Sequence, residues 1–126
     1  MLYAVLCYNS EEAVSAWTRE EEDRVMSDLA AVEKKYAAAG KLGPVARLMP
    51  TTAATTLRKA PGESLVIDGP FAETKEQFLG FFLVEMETLD EAIAFAKELA
   101  VANPGAGAYE IRPLRVFKPG GPLEPM

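Results

Sequence analysis

Two stretches, Leu2–Tyr8 (LYAVLCY) and Phe78–Met86 (FLGFFLVEM), are apolar at consecutive positions instead of alternate ones. A strand points successive side chains to opposite faces, so runs of this kind belong to strands covered on both sides. Within the second run, Phe82, Val84 and Met86 share one face while Phe81 and Leu83 share the other. Whatever this chain folds into has to hide both faces of two strands, and the sequence supplies only two amphipathic helices for the purpose.

The first helix is marked by Thr18 and Glu21, a T-x-x-E capping box, with Glu20, Glu21 and Glu22 in the first turn where the helix dipole favours negative charge. Val25, Leu29, Val32 and Tyr36 follow as one apolar stripe, Lys34 and Lys35 sit near the far end, and Gly40 is a natural stop. The spacing predicts a helix from Arg19 to Ala39. Thr88 and Glu91 repeat the capping pattern, Ala92, Ile93, Ala96, Leu99 and Ala100 define the second stripe, and Asn103-Pro104-Gly105 closes it. Trp17, just before the first helix, reads as a hydrophobic staple onto it.

Between the helices the chain is extended. Gly43-Pro44 argues against helix in Lys41–Met49. Thr51–Arg58 and Glu63–Asp68 flank Pro61-Gly62 and read as a hairpin. Tyr109–Phe117 is a last strand, placed at an edge or bulged because Pro113 cannot donate to a ladder. Without the hairpin the order is βαββαβ, the ferredoxin-like α+β pattern. Two helices cover one face of such a sheet. The other face is expected to close against a second copy, so the reading is a single domain over residues 1–118, dimeric, with a Pro- and Gly-rich tail at 119–126.

Composition removes several kinds of chemistry. The chain has no histidine and one cysteine, Cys7, so a Ser-His-Asp or Cys-His arrangement and histidine-held haem are excluded, and neither a zinc site nor a disulfide framework is expected. Phosphate-loop and dinucleotide fingerprints are missing, and no metal or other cofactor is expected. A net charge of −6 disfavours nucleic acid as a partner. No apolar run approaches the length of a membrane span, and the N-terminus opens as a strand, so a cytoplasmic location is the expectation. Charge is unevenly spread: Lys34, Lys35, Lys41, Arg47, Arg58 and Lys59 fall in a stretch without acids, while residues 11–33 are strongly acidic. Two solvated faces of opposite sign explain this more simply than an anion-binding surface around Arg47 and Arg58.

One segment concentrates charge beside a turn: Asp68-Gly69-Pro70-Phe71-Ala72-Glu73-Thr74-Lys75-Glu76-Gln77. As a turn, Asp68 would accept backbone N–H bonds, Gly69 would take unusual dihedrals, Pro70 would fix φ and Phe71 would plug the core. As a site, Asp68 would stand at the mouth of a cleft as general acid or base, with Lys75 holding an anionic group and Glu73 and Glu76 nearby.

This decapeptide closely resembles the signature of the DGPF group within the YCII-related domain family. The opening MLYAVLCY, Ala54–Arg58, Gly80, Leu89–Ala92 and Glu110–Pro113 are similar to the family at weaker, less specific positions. The resemblance implies a dimeric α/β barrel. More distant YCII-like members are proposed to use a histidine–aspartate pair, which this chain cannot supply, so Asp68 is not matched to that aspartate. The DGPF group also implies, by gene association, a companion role to extracytoplasmic-function sigma factors. Three functions follow as expectations: a homodimer binding a small ligand or protein partner near residues 68–76, with a regulatory role; an enzyme of unknown reaction using Asp68; or an interaction dimer with no ligand.

Overall fold

A computed structural model describes residues 1–126. The elements in chain order are β1 (Leu2–Asn9), α1 (Glu11–Ser15), α2 (Arg19–Ala38), β2 (Leu42–Arg47), a 3-10 turn (Thr51–Ala53), β3 (Thr55–Arg58), β4 (Leu65–Asp68), β5 (Gln77–Glu85), α3 (Leu89–Ala102) and β6 (Ala108–Pro113). The four long strands form one antiparallel sheet in the order β2-β5-β1-β6, and β3 and β4 form a separate hairpin. This is the ferredoxin-like α+β arrangement with a hairpin inserted between its second and third main strands.

Strand parity decides which side chains meet the helices. Tyr3 pairs with Val84 and Val5 with Phe82, and these four are buried in one cluster with Met86 and with Ala92, Phe95, Ala96 and Leu99 of α3. Leu29, Val32 and Tyr36 of α2 pack against the same cluster. Both long helices therefore cover one face. Ala4 pairs with Leu83 and Leu6 with Phe81 on the opposite face, which no helix covers.

The helix ends follow the capping chemistry. Thr18 Oγ1 accepts from the Glu21 N–H at 3.1 Å and Glu21 Oε1 accepts from the Thr18 N–H at 3.3 Å, the reciprocal box read from the sequence. Gly40 follows α2 with φ +73°, a conformation that costs glycine nothing. Gly80 is needed for another reason. A Cβ there would sit 2.3 Å from the Ala46 carbonyl oxygen, so β2 and β5 close only around a residue with no side chain.

Several expectations need correction. The second stripe omitted Phe95, which is fully buried between the rings of Tyr36 and Phe82; Ala100, placed in that stripe, is exposed. A short helix, α1, for which no expectation was made, follows β1, with Ser10 capping it through the Ala13 N–H. Thr51–Ala53 is a 3-10 turn and only Thr55–Arg58 is strand. The last strand stops at Pro113, on the sheet edge as expected, and not at Phe117. Trp17 is no staple: the partner position four residues into α2 is Glu22, which offers no apolar surface.

Candidate functional site

The Asp68–Gln77 segment leaves the end of β4 and leads into β5. Gly69 has φ +105°, as its turn role requires, and its N–H donates to the Ala54 carbonyl at 2.7 Å while its own carbonyl accepts from Thr56 Oγ1 at 2.8 Å. Those bonds extend the hairpin by one step. Arg58 Nη2 donates to the Phe71 carbonyl at 3.4 Å and ties the following arm to β3. Farther along, Thr74 Oγ1 donates to the Glu76 carbonyl at 2.6 Å, and Gln77 Nε2 donates to the Thr74 carbonyl at 2.7 Å.

The roots of the insertion are joined through one residue of α1. The Glu11 N–H donates to Gln77 Oε1 at 2.8 Å, and the Glu11 carboxylate accepts from the Thr51 N–H at 2.7 Å and from Thr51 Oγ1 at 2.5 Å. Glu11 thus holds the entry and the exit of the hairpin arm together. Sequence reasoning missed it, because one glutamate among several acids near a helix start carries no local mark.

Within the single chain the segment forms no enclosed cleft. Asp68 and residues 71–76 are exposed, and Gly69, Pro70 and Gln77 are half-buried. Phe71, expected as a core plug, is 75% exposed, because the hairpin stands away from the main sheet instead of packing on it. Asp68 accepts none of the backbone bonds expected of a turn carboxylate, and Lys75 pairs with neither Glu73 nor Glu76. A shallow hollow of about 410 Å³ lies beside Phe71 and is lined by Thr56, Leu57, Arg58 and Lys59. Of the six basic residues in that stretch, three meet helix acids: Lys35 pairs with Glu98, Lys41 with Glu91 and Arg47 with Glu22.

A better-formed cavity lies elsewhere, between α2 and the sheet. It holds about 160 Å³, and eleven of its fifteen lining residues are hydrophobic. Cys7, Gly80, Phe82 and Tyr109 form part of its floor, Met26, Leu29 and Glu33 come from α2, and Trp17 and Arg47 stand beside the larger hollow that adjoins it. Burial pushes the Cys7 thiol up, against smaller opposing effects of a hydrogen bond with Tyr109 and the charge of Arg47. Burial likewise raises Tyr109 to about 12 and lifts the Glu33 carboxyl above its ordinary value. Asn103 Nδ2 donates to the Tyr109 hydroxyl at 3.3 Å, while Asn103 Oδ1 is buried and accepts nothing.

The fold and these two regions define a small α+β domain of ferredoxin-like topology, with an inserted charged arm and an apolar cavity under its first long helix. The chain belongs to the YCII-related domain family, whose model matches residues 1–118. It is also 65% identical over 120 residues to an uncharacterised protein of Rhizobium meliloti (strain 1021), a match covering 95% of this chain and 97% of that one. No helix is long and apolar enough to cross a membrane.

Proposed function

We propose that the chain works as a homodimer, in which the uncovered sheet face of one copy packs on that of the other and the Asp68–Glu76 arm lines a binding cleft at their junction. The observation that carries this reading is how much apolar surface one copy leaves open. Only 14 of 126 residues are buried, fewer than a chain with nearly half its residues hydrophobic needs to hide. Leu6, Phe81 and Leu83 lie on a sheet face without helices. In the hairpin, Leu57 and Val66 share one face and Ile67 and Leu65 the other, and all four are exposed. A lone two-stranded hairpin is marginal in water, so one that is apolar on both sides needs a covering surface.

A second copy supplies that surface with the symmetry most oligomers use. It would also convert the open hollow at Phe71, Arg58 and Lys59 into a walled cleft beside Asp68, Gly69, Pro70, Glu73, Lys75 and Glu76. The cleft takes a small ligand or a segment of a protein partner. A regulatory role rests on the resemblance of residues 68–77 to the DGPF group. The test is sedimentation of the purified chain together with Phe71→Ala and Lys75→Ala. A dimer that persists in both variants, with loss of whatever small molecule or partner co-purifies with the unaltered protein, supports the cleft. A chain that sediments as a single copy at every concentration refutes the reading.

A further inference from the structure

Two rows of side chains cross the sheet face that no helix covers. One holds Ala46, Phe81, Leu6 and Glu110, running from β2 to β6, and the next holds Leu83, Ala4 and Arg112, running from β5 to β6. The row between them, Phe82, Val5 and Ile111, points the other way into the core under the helices. Both open rows are apolar until they reach β6, the edge strand, where one ends in an acid and the other in a base. Both charged side chains are exposed. Glu110 accepts from the Tyr8 hydroxyl at 3.1 Å and meets no cation, and Arg112 pairs with no acid of its own copy.

The exposed area fits a twin on this face. A folded monomer of 13.7 kDa exposes about 6,600 Å². This chain exposes 9398 Å². The tail at 119–126, taken as fully extended, explains about 1,100 Å² of the difference, which leaves about 1,700 Å². One side of an obligate homodimer interface buries about 1,000–2,500 Å². A twofold interface is self-complementary, so whatever faces Glu110 across it must have Glu110 facing its own counterpart in return. We infer, on the homodimer reading above, that the twofold axis crosses the strands at the level of Ile111, so that Glu110 of each copy pairs with Arg112 of the other. The same axis lays each row of one copy over the other row of its twin. Leu6 then lies over Ala4 and Phe81 over Leu83, so a large side chain meets a small one beside two large ones in contact. Packed sheets stand about 10 Å apart, a gap that a glutamate and an arginine reaching from opposite sides can bridge. The paired charges fix the register of the two sheets, which the apolar rows alone leave free to slide.

Sedimentation velocity over a concentration series tests the register and the dimer separately. The unaltered chain is expected to run as a dimer. Glu110→Arg and Arg112→Glu each set like charges together at both symmetric contacts, at about tenfold per contact, so each variant should dimerise about a hundredfold more weakly at low salt. The double variant, Glu110→Arg with Arg112→Glu, restores opposite charges across the axis and should dimerise like the unaltered chain, although Tyr8 has then lost its acceptor. Mixed together, the two single variants should form a heterodimer, because each position of one then faces the opposite charge on the other; copies carrying tags of different mass make this visible. Damage to folding would produce neither the rescue nor the mixing effect. An unaltered chain that stays single at every concentration overturns the homodimer, and this register with it. A dimer that the single reversals leave as tight as before, or weakened variants that neither the double change nor mixing restores, overturns the register alone.

Discussion

Replacing Leu83 by lysine puts a charge in the middle of the sheet face that no helix covers, opposite Ala4 in the β1–β5 register. If that face met water in the working protein, the change would cost within about 0.5 kcal/mol, as surface substitutions do. If two copies close on each other there, the twofold symmetry buries two unpaired ammonium groups. An uncompensated buried charge costs about 3 kcal/mol at the low end, so two cost about 6 kcal/mol. At 1.4 kcal/mol per decade that weakens association by about ten-thousandfold, before any repulsion between the two charges. Sedimentation velocity across a concentration series reads this directly. The unaltered chain should run as a dimer, Leu83→Lys as a monomer with a lower melting temperature. Val101→Lys, on α3 at an 81%-exposed position, should behave like the unaltered chain. A Leu83→Lys protein that sediments and melts like the unaltered chain would refute the reasoning.

Phe95→Ala removes a fully buried ring that meets Tyr36 at 4.7 Å and Phe82 at 5.6 Å, and should cost about 3–5 kcal/mol in urea unfolding. The Glu98 carboxyl is held below its ordinary 4.5 by the hydrogen bond from Lys35 and then by that from Tyr36. A lowered folded value stabilises the protein above the unfolded one, so this contribution should fade as pH falls from about 4.5, and Glu98→Gln should flatten that acid limb in pH-dependent melts. Tyr36 has the opposite sign. Burial, and then the Glu98 carboxylate, raise it from 10.0 to about 12, so its stabilisation holds below pH 10 and is lost as pH rises toward 12; Tyr36→Phe should lose that alkaline dependence. Cys7, raised chiefly by burial, should react with a thiol reagent at pH 8 far more slowly in the folded chain than after unfolding, and equal rates would contradict its placement.

How much of this was legible from residues alone differs between fold and site. The double-faced apolar runs of β1 and β5, the reciprocal cap at Thr18 and Glu21, the hairpin around Pro61-Gly62 and the edge strand bearing Pro113 all follow from local rules that act within a few residues. Periodicity therefore located both long helices and the two long inner strands, turn residues marked the hairpin, and parity correctly divided Phe82, Val84 and Met86 from Phe81 and Leu83. It missed Phe95, since a large ring one helical step from an alanine-rich stripe declares its side only when β5 is laid beneath it.

The sites were the less legible part. The run of charges at residues 68–77 drew attention through its chemistry, yet its exposure depends on the hairpin standing off the sheet. The cavity under α2 gave no sign at all. Cys7, Trp17, Arg47, Asn103 and Tyr109 come from distant parts of the chain and meet only when the antiparallel sheet brings β1 between β5 and β6 and α2 crosses above. Local order is written in short-range sterics, capping and alternation, and the chain carries these wherever it goes. An unfilled space and an acceptor without a donor are properties of what is missing between elements, and they come into being only when packing sets those elements side by side.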